Sequence, residues 1–239
     1  SDGLYVHYKF DGDLTDASGN DRVPTTNPAT PTYSSSIKSV GAEALHLGAN
    51  QYVDIGGTTT PLINPYTIWN AGTGFSVSMW FYTDETYRRI LNFCADSFRG
   101  QQINIYEYAH NIGLHYSAHD SVGTEEVLIN FEDTNTKLDD DSARKWYHLV
   151  LSIDKTGKWI LYIDKTEITT ILNVELRDID QLDSYIGTDC GATDSFLNDL
   201  YIDDFRVYDR ALSQGDVDAL YALGGGGPRH LILLHRNLY

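Results

Sequence analysis

The chain is poor in cysteine, methionine and positive charge. Its 239 residues include 2 Cys, 1 Met and 17 Lys and Arg against 34 Asp and Glu, which gives a formal net charge of −17 at pH 7. Nucleic acids and anionic membrane surfaces both attract basic proteins. The charge therefore argues against nucleic acid and against an anionic bilayer as partners.

Long hydrophobic runs are also missing. No stretch reaches the roughly 18 apolar residues that a membrane-spanning helix needs, so we expect no membrane insertion. Ser1 does not open a basic and then apolar signal segment, and we interpret the chain as a mature or excised module. The two cysteines, Cys94 and Cys190, are compatible with one disulfide or with two small buried side chains.

What the sequence does contain is period-two alternation. A length of roughly 200–250 residues is ordinary for one all-β domain. From Phe75 onwards, several short segments place apolar residues on one face and polar or aromatic residues on the other. The inward residues are predicted to be Phe75, Val77, Met79, Phe81, Leu91, Phe93, Ile103, Ile105, Ile112, Leu114, Tyr116, Tyr147, Leu149, Leu151 and Ile153. One apolar face per strand predicts two packed antiparallel sheets.

The segment Tyr201–Leu212 is the most informative strand. Its alternation predicts that Asp203 lies on the same face as Phe205 and Val207. A carboxylate on an apolar face is expensive to bury without a partner, and a cation would supply one.

The segment also carries a resemblance. Its run Ile-Asp-Asp-Phe-Arg-Val-Tyr-Asp-Arg-Ala-Leu closely resembles the last strand of laminin-G-like domains in the concanavalin A-like lectin/glucanase superfamily. Phe10-Asp-Gly12, followed by Asp16-Ala-Ser-Gly-Asn20, is similar to the end of the family's first strand, and Gly41–Gly48 matches a further family motif. The resemblance implies a jelly roll, a two-sheet antiparallel β-sandwich, over residues 1–223.

The resemblance further implies a structural calcium ion. In the family the first Asp of the closing run holds Ca²⁺, and backbone near the end of the first strand contributes. Carried over, the expected ligands are Asp203, Asp11 and the carbonyl of Gly41. Such hard oxygen ligands suit calcium rather than zinc.

Other segments are predicted from turn and capping residues. Residues 23–39 and 58–74 are expected to be surface loops. Lys165 replaces a turn glycine of the family pattern. Ser213 is the predicted N-cap, with Asp216 three positions later, of the short helix that ends such domains. Residues 224–239, a Gly-rich linker and a basic, apolar tail, are expected to lie outside the domain.

Catalytic arrays are not evident. The glucanases of this fold carry Glu-x-Asp-x-Glu, or a one-residue expansion of it, on one strand, and the chain has no such run. His115 and His119 would lie about 13 Å apart on a strand, at roughly 3.3 Å per residue, so they cannot chelate one zinc ion. We therefore expect a protein without enzymatic activity.

The outward residues are the remaining candidates for a ligand site. They combine aromatic rings, which contact the C–H faces of sugars, with amides and imidazoles, which bind hydroxyl groups. The expected ligand-binding residues are Trp80, Asn92, Asn104, Tyr106, His115 and His148, with Ser78 beside them. The opposing interpretation is a sheet surface covered by loops, its aromatics forming a secondary core.

The sequence thus favours a noncatalytic, carbohydrate-binding adhesion module of a larger protein, extracellular or on the cell surface. Its partner would be a glycan or a glycoprotein of the cell surface or matrix. A protein-interaction or spacer domain is the alternative, and a glycoside hydrolase is a weaker one.

Overall fold

A computed structural model describes residues 2–27, 30–56, 62–83, 88–94, 102–119, 125–134, 138, 145–178, 183–190 and 199–224. These residues form fifteen strands and two helices. The strands are β1 (Leu4–Tyr8), β2 (Thr25–Asn27), β3 (Thr32–Ser34), β4 (Ala44–Gly48), β5 (Tyr52–Asp54), β6 (Gly74–Thr83), β7 (Arg88–Cys94), β8 (Gln102–Tyr108), β9 (Asn111–His119), β10 (Glu125–Glu132), β11 (Tyr147–Asp154), β12 (Trp159–Ile163), β13 (Thr166–Ile171), β14 (Asp183–Ile186) and β15 (Asp199–Tyr208). The helices are α1 (Pro65–Ala71) and α2 (Gln214–Leu223).

The strands form two antiparallel sheets. Sheet A has the order β13-β12-β11-β6-β15-β4-β3, and β1 also pairs with β15. Sheet B has the order β10-β9-β8-β7-β14-β5-β2. The first and last of the described strands, β1 and β15, are therefore hydrogen-bonded neighbours, as the family resemblance implied. The predicted two-sheet antiparallel jelly roll with a short C-terminal helix is confirmed.

The core lies between the sheets. Every inward residue predicted from the alternation belongs to it, and all are buried. Because side chains alternate across a strand, the remaining residues of the same strands lie on the two outer faces. These outer faces, on opposite sides of the sandwich, are where functional side chains are available.

Two predicted loops contain regular structure. Residues 23–39 include the short strands β2 and β3, which pair with β5 and β4. Residues 58–74 include α1, which begins where Asn64 accepts a hydrogen bond from the Thr67 N–H and Pro65 takes the first helical turn. The loop interpretation was wrong there because an Asn-Pro pair also starts a helix, and Trp69 anchors this one in the core.

Strand β15 contains a bulge that overturns one prediction. The pairing with β6 shifts register between Asp203 and Arg206, and Asp204 has a φ of 51°. Ile202 and Phe205 both belong to the core as a result, and Asp203 does not share the face of Phe205. An extra residue in a strand resets the alternation, so simple period-two counting fails across it.

The turn and cap predictions have clear outcomes. Asp164 and Lys165 both have positive φ, so the hairpin between β12 and β13 forms without the family glycine. Ser213 and Asp216 form the predicted capping box at the start of α2. The helix ends at Leu223, and residues 225–239, which hold most of the predicted linker and tail, lie outside the described residues.

Candidate functional site on the outer faces

The structure divides the predicted ligand residues between the two sheets. Trp80 and His148 lie on β6 and β11 of sheet A. The other members lie on the outer face of sheet B, namely Asn92, Asn104, Tyr106 and His115. The six predicted residues and Ser78 therefore do not form one surface, and the prediction of a single face was wrong in that respect.

Helix α2 covers the sheet A members. The Trp80 ring centroid lies 4.9 Å from that of His148 and 5.3 Å from that of Tyr221 on α2. A Cβ atom at Gly224 would lie 2.3 Å from the Trp80 ring, so this part of the chain packs directly on the indole. Trp80 and His148 are buried, with 3% and 1% of their surface exposed. They form a helix–sheet contact, which is the secondary-core interpretation.

His148 is buried as a neutral imidazole. Its Nε2 lies 2.9 Å from Ser78 Oγ, and Nδ1 has no hydrogen-bond partner among the described residues. Burial lowers the pKa of His148 to about 4. Within the described ranges, no carboxylate bonds Nδ1 in the way that would orient a catalytic histidine.

On sheet B the polar residues form a continuous row. His115 pairs with Asn104, Asn104 with Asn92, and Asn92 with Tyr185, each in direct cross-strand register. The row therefore runs across four neighbouring strands, from an imidazole through two amides to a phenol. The Tyr185 ring meets that of Tyr52 edge to face at 5.3 Å, which extends the aromatic end.

The amides of this row have unused hydrogen-bonding atoms. Asn92 and Asn104 are almost fully buried, and the Oδ1 atom of each has no partner among the described residues. Ser117 Oγ, one strand over on the same face, is in the same condition. A buried polar atom without a partner costs roughly 1–3 kcal/mol, so such atoms are satisfied by a ligand or by water. Several of them lie on this one face, which makes it the candidate surface for a polar ligand.

Tyr106 adds an aromatic surface beside the row. It pairs with Gly113, and a Cβ atom there would lie 2.2 Å from the ring, so the ring lies across the glycine. Arg89 approaches the same ring at 5.3 Å. Burial, with help from Glu132, raises the pKa of Tyr106, which therefore stays a neutral hydrogen-bond donor. Tyr106 and His115 are half-buried and form the accessible rim.

A disulfide borders the row on its other side. Cys94 and Cys190 are bonded, which decides the alternative that the sequence left open. The Nδ2 group of Asn92 lies 3.4 Å from Cys190 Sγ. The bond joins the end of β7 to the segment after β14, and it fixes the backbone next to the central amide.

Sequence reasoning missed several members of this surface. Tyr185 and Tyr52 were overlooked because β14 and β5 are too short to show a clear period. Gln102 and Ser117 flank the disulfide on paired strands. Their outward position follows from alternation alone, but only the strand order shows that they adjoin Asn92 and Asn104.

A second cluster lies where the chain ends meet. Asp203 is fully buried, and its Oδ2 accepts hydrogen bonds from the Ser39 and Val40 N–H groups at 2.8 and 2.7 Å. Asp11 Oδ1 accepts hydrogen bonds from Ala42 N–H at 2.5 Å and Glu43 N–H at 3.1 Å. The loop between β3 and β4 thus ties the end of β1 to β15.

Gly41 is the central residue of this loop. Its φ is +65°, and a Cβ atom there would lie 2.3 Å from Asp11 Oδ1. Only glycine fits such a conformation at such a close approach. The structure therefore brings together Asp11, Gly41 and Asp203, the residues that the family resemblance implied.

The electrostatics of the cluster fit a cation. The pKa of Asp203 is raised to about 7, mainly by burial and also by the nearby charges of Asp204 and Asp11. The hydrogen bonds from the Val40 and Ser39 N–H groups act in the opposite direction. Asp203 Oδ1 has no partner among the described residues. No group of three His, Cys, Asp or Glu side chains is gathered in the described part of the chain. A calcium ion here would therefore need backbone carbonyl oxygens, which it accepts readily.

Sequence comparison identifies the family. A profile of the Concanavalin A-like lectin/glucanases superfamily matches residues 47–218. The chain belongs to this superfamily. A search of the curated proteins finds no sequence match.

Solved structures with a fold similar to that of this chain include three domains of larger proteins. Domain 4 of AbnA, a GH43 extracellular arabinanase from Geobacillus stearothermophilus, solved with arabinotriose, has a TM-score of 0.67 and 21% identity, covering 92% of this chain and 98% of that one. The binding domain of Paraclostridial Mosquitocidal Protein 1 has a TM-score of 0.63 and 19% identity, with 92% of this chain and 52% of that one covered. The receptor-binding domain of botulinum neurotoxin type G gives 0.61 and 17%, covering 93% and 51%. The chain thus spans about half the length of each of the last two domains.

No described helix is long and apolar enough to cross a bilayer.

Proposed function

We propose that the protein is a noncatalytic carbohydrate-binding domain whose ligand binds on the outer face of sheet B. The observation that carries the proposal is the pair of buried amide oxygens, on Asn92 and Asn104, without hydrogen-bond partners among the described residues. Sugar hydroxyl groups are donors that would satisfy both. The ring of Tyr106 and the imidazole of His115 stand at the accessible rim, where a sugar ring would enter.

The disulfide and the similar structures also support a proposal for where the protein acts. The disulfide suits an oxidising compartment, and we propose an extracellular or cell-surface domain of a larger protein. Its ligand would be a glycan or a glycoprotein of the cell surface or matrix. The similarity to an arabinanase domain solved with arabinotriose supports this proposal.

Calcium completes the proposal. Asp203, Asp11 and the Gly41 carbonyl would hold one Ca²⁺ where β1, β15 and the β3–β4 loop meet. The ion would supply positive charge to two buried carboxylates and would take no part in ligand chemistry. Its effect would be to stabilise the folded state by linkage.

A glycan array tests the function. The domain is expected to bind a defined set of glycans, and Asn104→Ala is expected to abolish binding of those that depend on the sheet B face while the fold remains. Asn70→Ala, an exposed amide of α1 outside the sheet B face, is the matched control and should bind as the wild type does. Silence of the wild-type protein across the array, with and without calcium, would refute the proposal in favour of a spacer domain.

A further inference from the structure

The outer face of sheet A carries a row of aromatic rings outside the area where α2 packs on Trp80 and His148. It crosses β4, β15 and β6 and ends at the residue before β11. Its members are His46, Tyr201, Tyr82 and Trp146. Tyr82 lies two residues beyond Trp80 on β6, so the row runs beside the area that α2 covers.

The rings contact one another in sequence. The His46 and Tyr201 rings are stacked with centroids 4.3 Å apart, and the Tyr201 and Tyr82 rings meet edge to face at 5.4 Å. The Trp146 ring follows at 5.7 Å from Tyr82. At about 4.8 Å between strands, the two ends of the row lie roughly 14 Å apart, a span that suits an oligosaccharide better than one sugar ring.

The residues at the two ends of the row are partly exposed to solvent, while the two central residues are buried. Tyr201 and Tyr82 are buried, but 31% of the His46 side chain and 29% of the Asp199 side chain are exposed. Trp146 is half-buried, whereas the other three tryptophans of the chain are buried. Trp146 is thus the most exposed tryptophan.

A polar pair stands at the His46 end. His46 Nε2 lies 2.7 Å from Asp199 Oδ1, and the Thr32 hydroxyl donates a hydrogen bond to the His46 carbonyl at 3.0 Å. A carboxylate that already orients an imidazole is a strong acceptor for sugar hydroxyl groups. The same carboxylate, on a chain with a net charge of −17, repels anionic glycans.

We propose that this row, with Asp199, is a second binding surface, specific for neutral oligosaccharides. Aromatic rings at each end contact the C–H faces of the sugar, and the His46–Asp199 pair receives its hydroxyl groups. Because sheets A and B lie on opposite sides of the core, the surface is independent of the one on sheet B. The domain is therefore bivalent and can bridge two glycan chains or hold one ligand with higher avidity.

The experiment uses the indole N–H signals of the ¹⁵N-labelled full chain, assigned with Trp146→Phe. The probes are arabinotriose, cellotriose, maltotriose and mannotriose, with 3′-sialyllactose as the acidic probe. At least one neutral trisaccharide is expected to shift the Trp146 signal, while the signals of Trp80 and Trp159 stay in place. No Trp146 shift with any neutral probe, or an equal shift with the acidic one, would overturn the proposal.

Variants separate this surface from the one on sheet B. The Trp146 shift should persist in Asn104→Ala and should need about tenfold more ligand in His46→Ala, as expected for the loss of one ring contact. Tyr108→Ala, an exposed aromatic outside the row, is the control and should behave as the wild type. Loss of the shift in Asn104→Ala would show that it is transmitted from sheet B, and the second surface would be refuted. Persistence of the shift when the glycan array is silent would refute only the sheet B site.

Discussion

The two outer faces of the sandwich look alike in sequence and differ in structure. Each presents polar and aromatic side chains at alternate positions. On sheet A, beneath α2, these residues meet Val217, Leu220 and Tyr221 and form a second hydrophobic cluster. On sheet B they line up beside one another, with buried amide oxygens facing a half-buried aromatic rim. Alternation shows which way a side chain points, and only tertiary structure shows what packs on it.

Removing the Cys94–Cys190 disulfide, which borders the sheet B face, should have the largest effect of the changes considered. Cys94→Ser combined with Cys190→Ser opens a loop that spans a sequence separation of 96. The free energy of unfolding should fall by about 2–5 kcal/mol, since the disulfide restricts the unfolded chain. Urea unfolding measures this, and a loss below about 1 kcal/mol would show that the bond contributes little.

The helix on sheet A provides the next test. Leu220→Ala should lower the free energy of unfolding by about 2–3 kcal/mol, because Leu220 is buried against the sheet. Leu223→Ala, in the same helix but exposed, is the matched control and should change stability by less than about 0.5 kcal/mol. Glycan binding should be unchanged in both. Equal decreases in the free energy of unfolding of the two variants would mean that α2 does not pack on this face through Leu220.

Calcium bound where the two chain ends meet should raise the free energy of unfolding of the sandwich. At a calcium concentration 100 times its Kd, the ion would add about 2.7 kcal/mol to the free energy of unfolding, or several degrees in Tm. Chelator should remove this gain, and Asp203→Asn should make the melt insensitive to chelator. A wild-type Tm that chelator leaves unchanged would refute the ion.

The pH dependence should reveal the buried histidine. His148 has a folded pKa of about 4, below its usual value near 6.5, so the unfolded chain binds more protons between these values. Stability should therefore rise from about pH 4 to 6.5, by roughly 3 kcal/mol, with calcium present. Without calcium Asp203, whose pKa is raised to about 7, acts in the opposite direction, because the folded state then binds more protons from about pH 4 to 7.

Urea unfolding at several pH values checks this. His148→Gln should remove the rise that is seen with calcium. A wild-type profile that is flat with calcium, or a rise that survives in His148→Gln, would show that the burial of His148 does not control the pH dependence.

Much of the fold could be predicted from the sequence. The core residues of β6, β8, β9 and β11 follow from strict alternation, because regular strands keep one face in the core. The bulge at Asp204 could not be predicted, since an extra residue leaves no mark in the pattern. Helix α1 was missed because seven residues are too few for a helical period, although Asn64-Pro65 is a recognisable start.

The candidate site was predictable only in part. Asn92, Asn104, Tyr106 and His115 were placed correctly on an outer face. Trp80 and His148 were grouped with them because nothing in the local sequence says which sheet a strand joins. The burial of both residues follows from α2 folding back over β6 and β11, a long-range contact that periodicity does not encode.

The side-chain amide signals of the ¹⁵N-labelled protein test the central claim most directly. When a glycan selected by the array is added, the Nδ2 signals of Asn92 and Asn104 should shift, while the Trp80 indole signal under α2 should not. A shift of the Trp80 signal with unchanged Asn92 and Asn104 signals would contradict the assignment of ligand binding to sheet B.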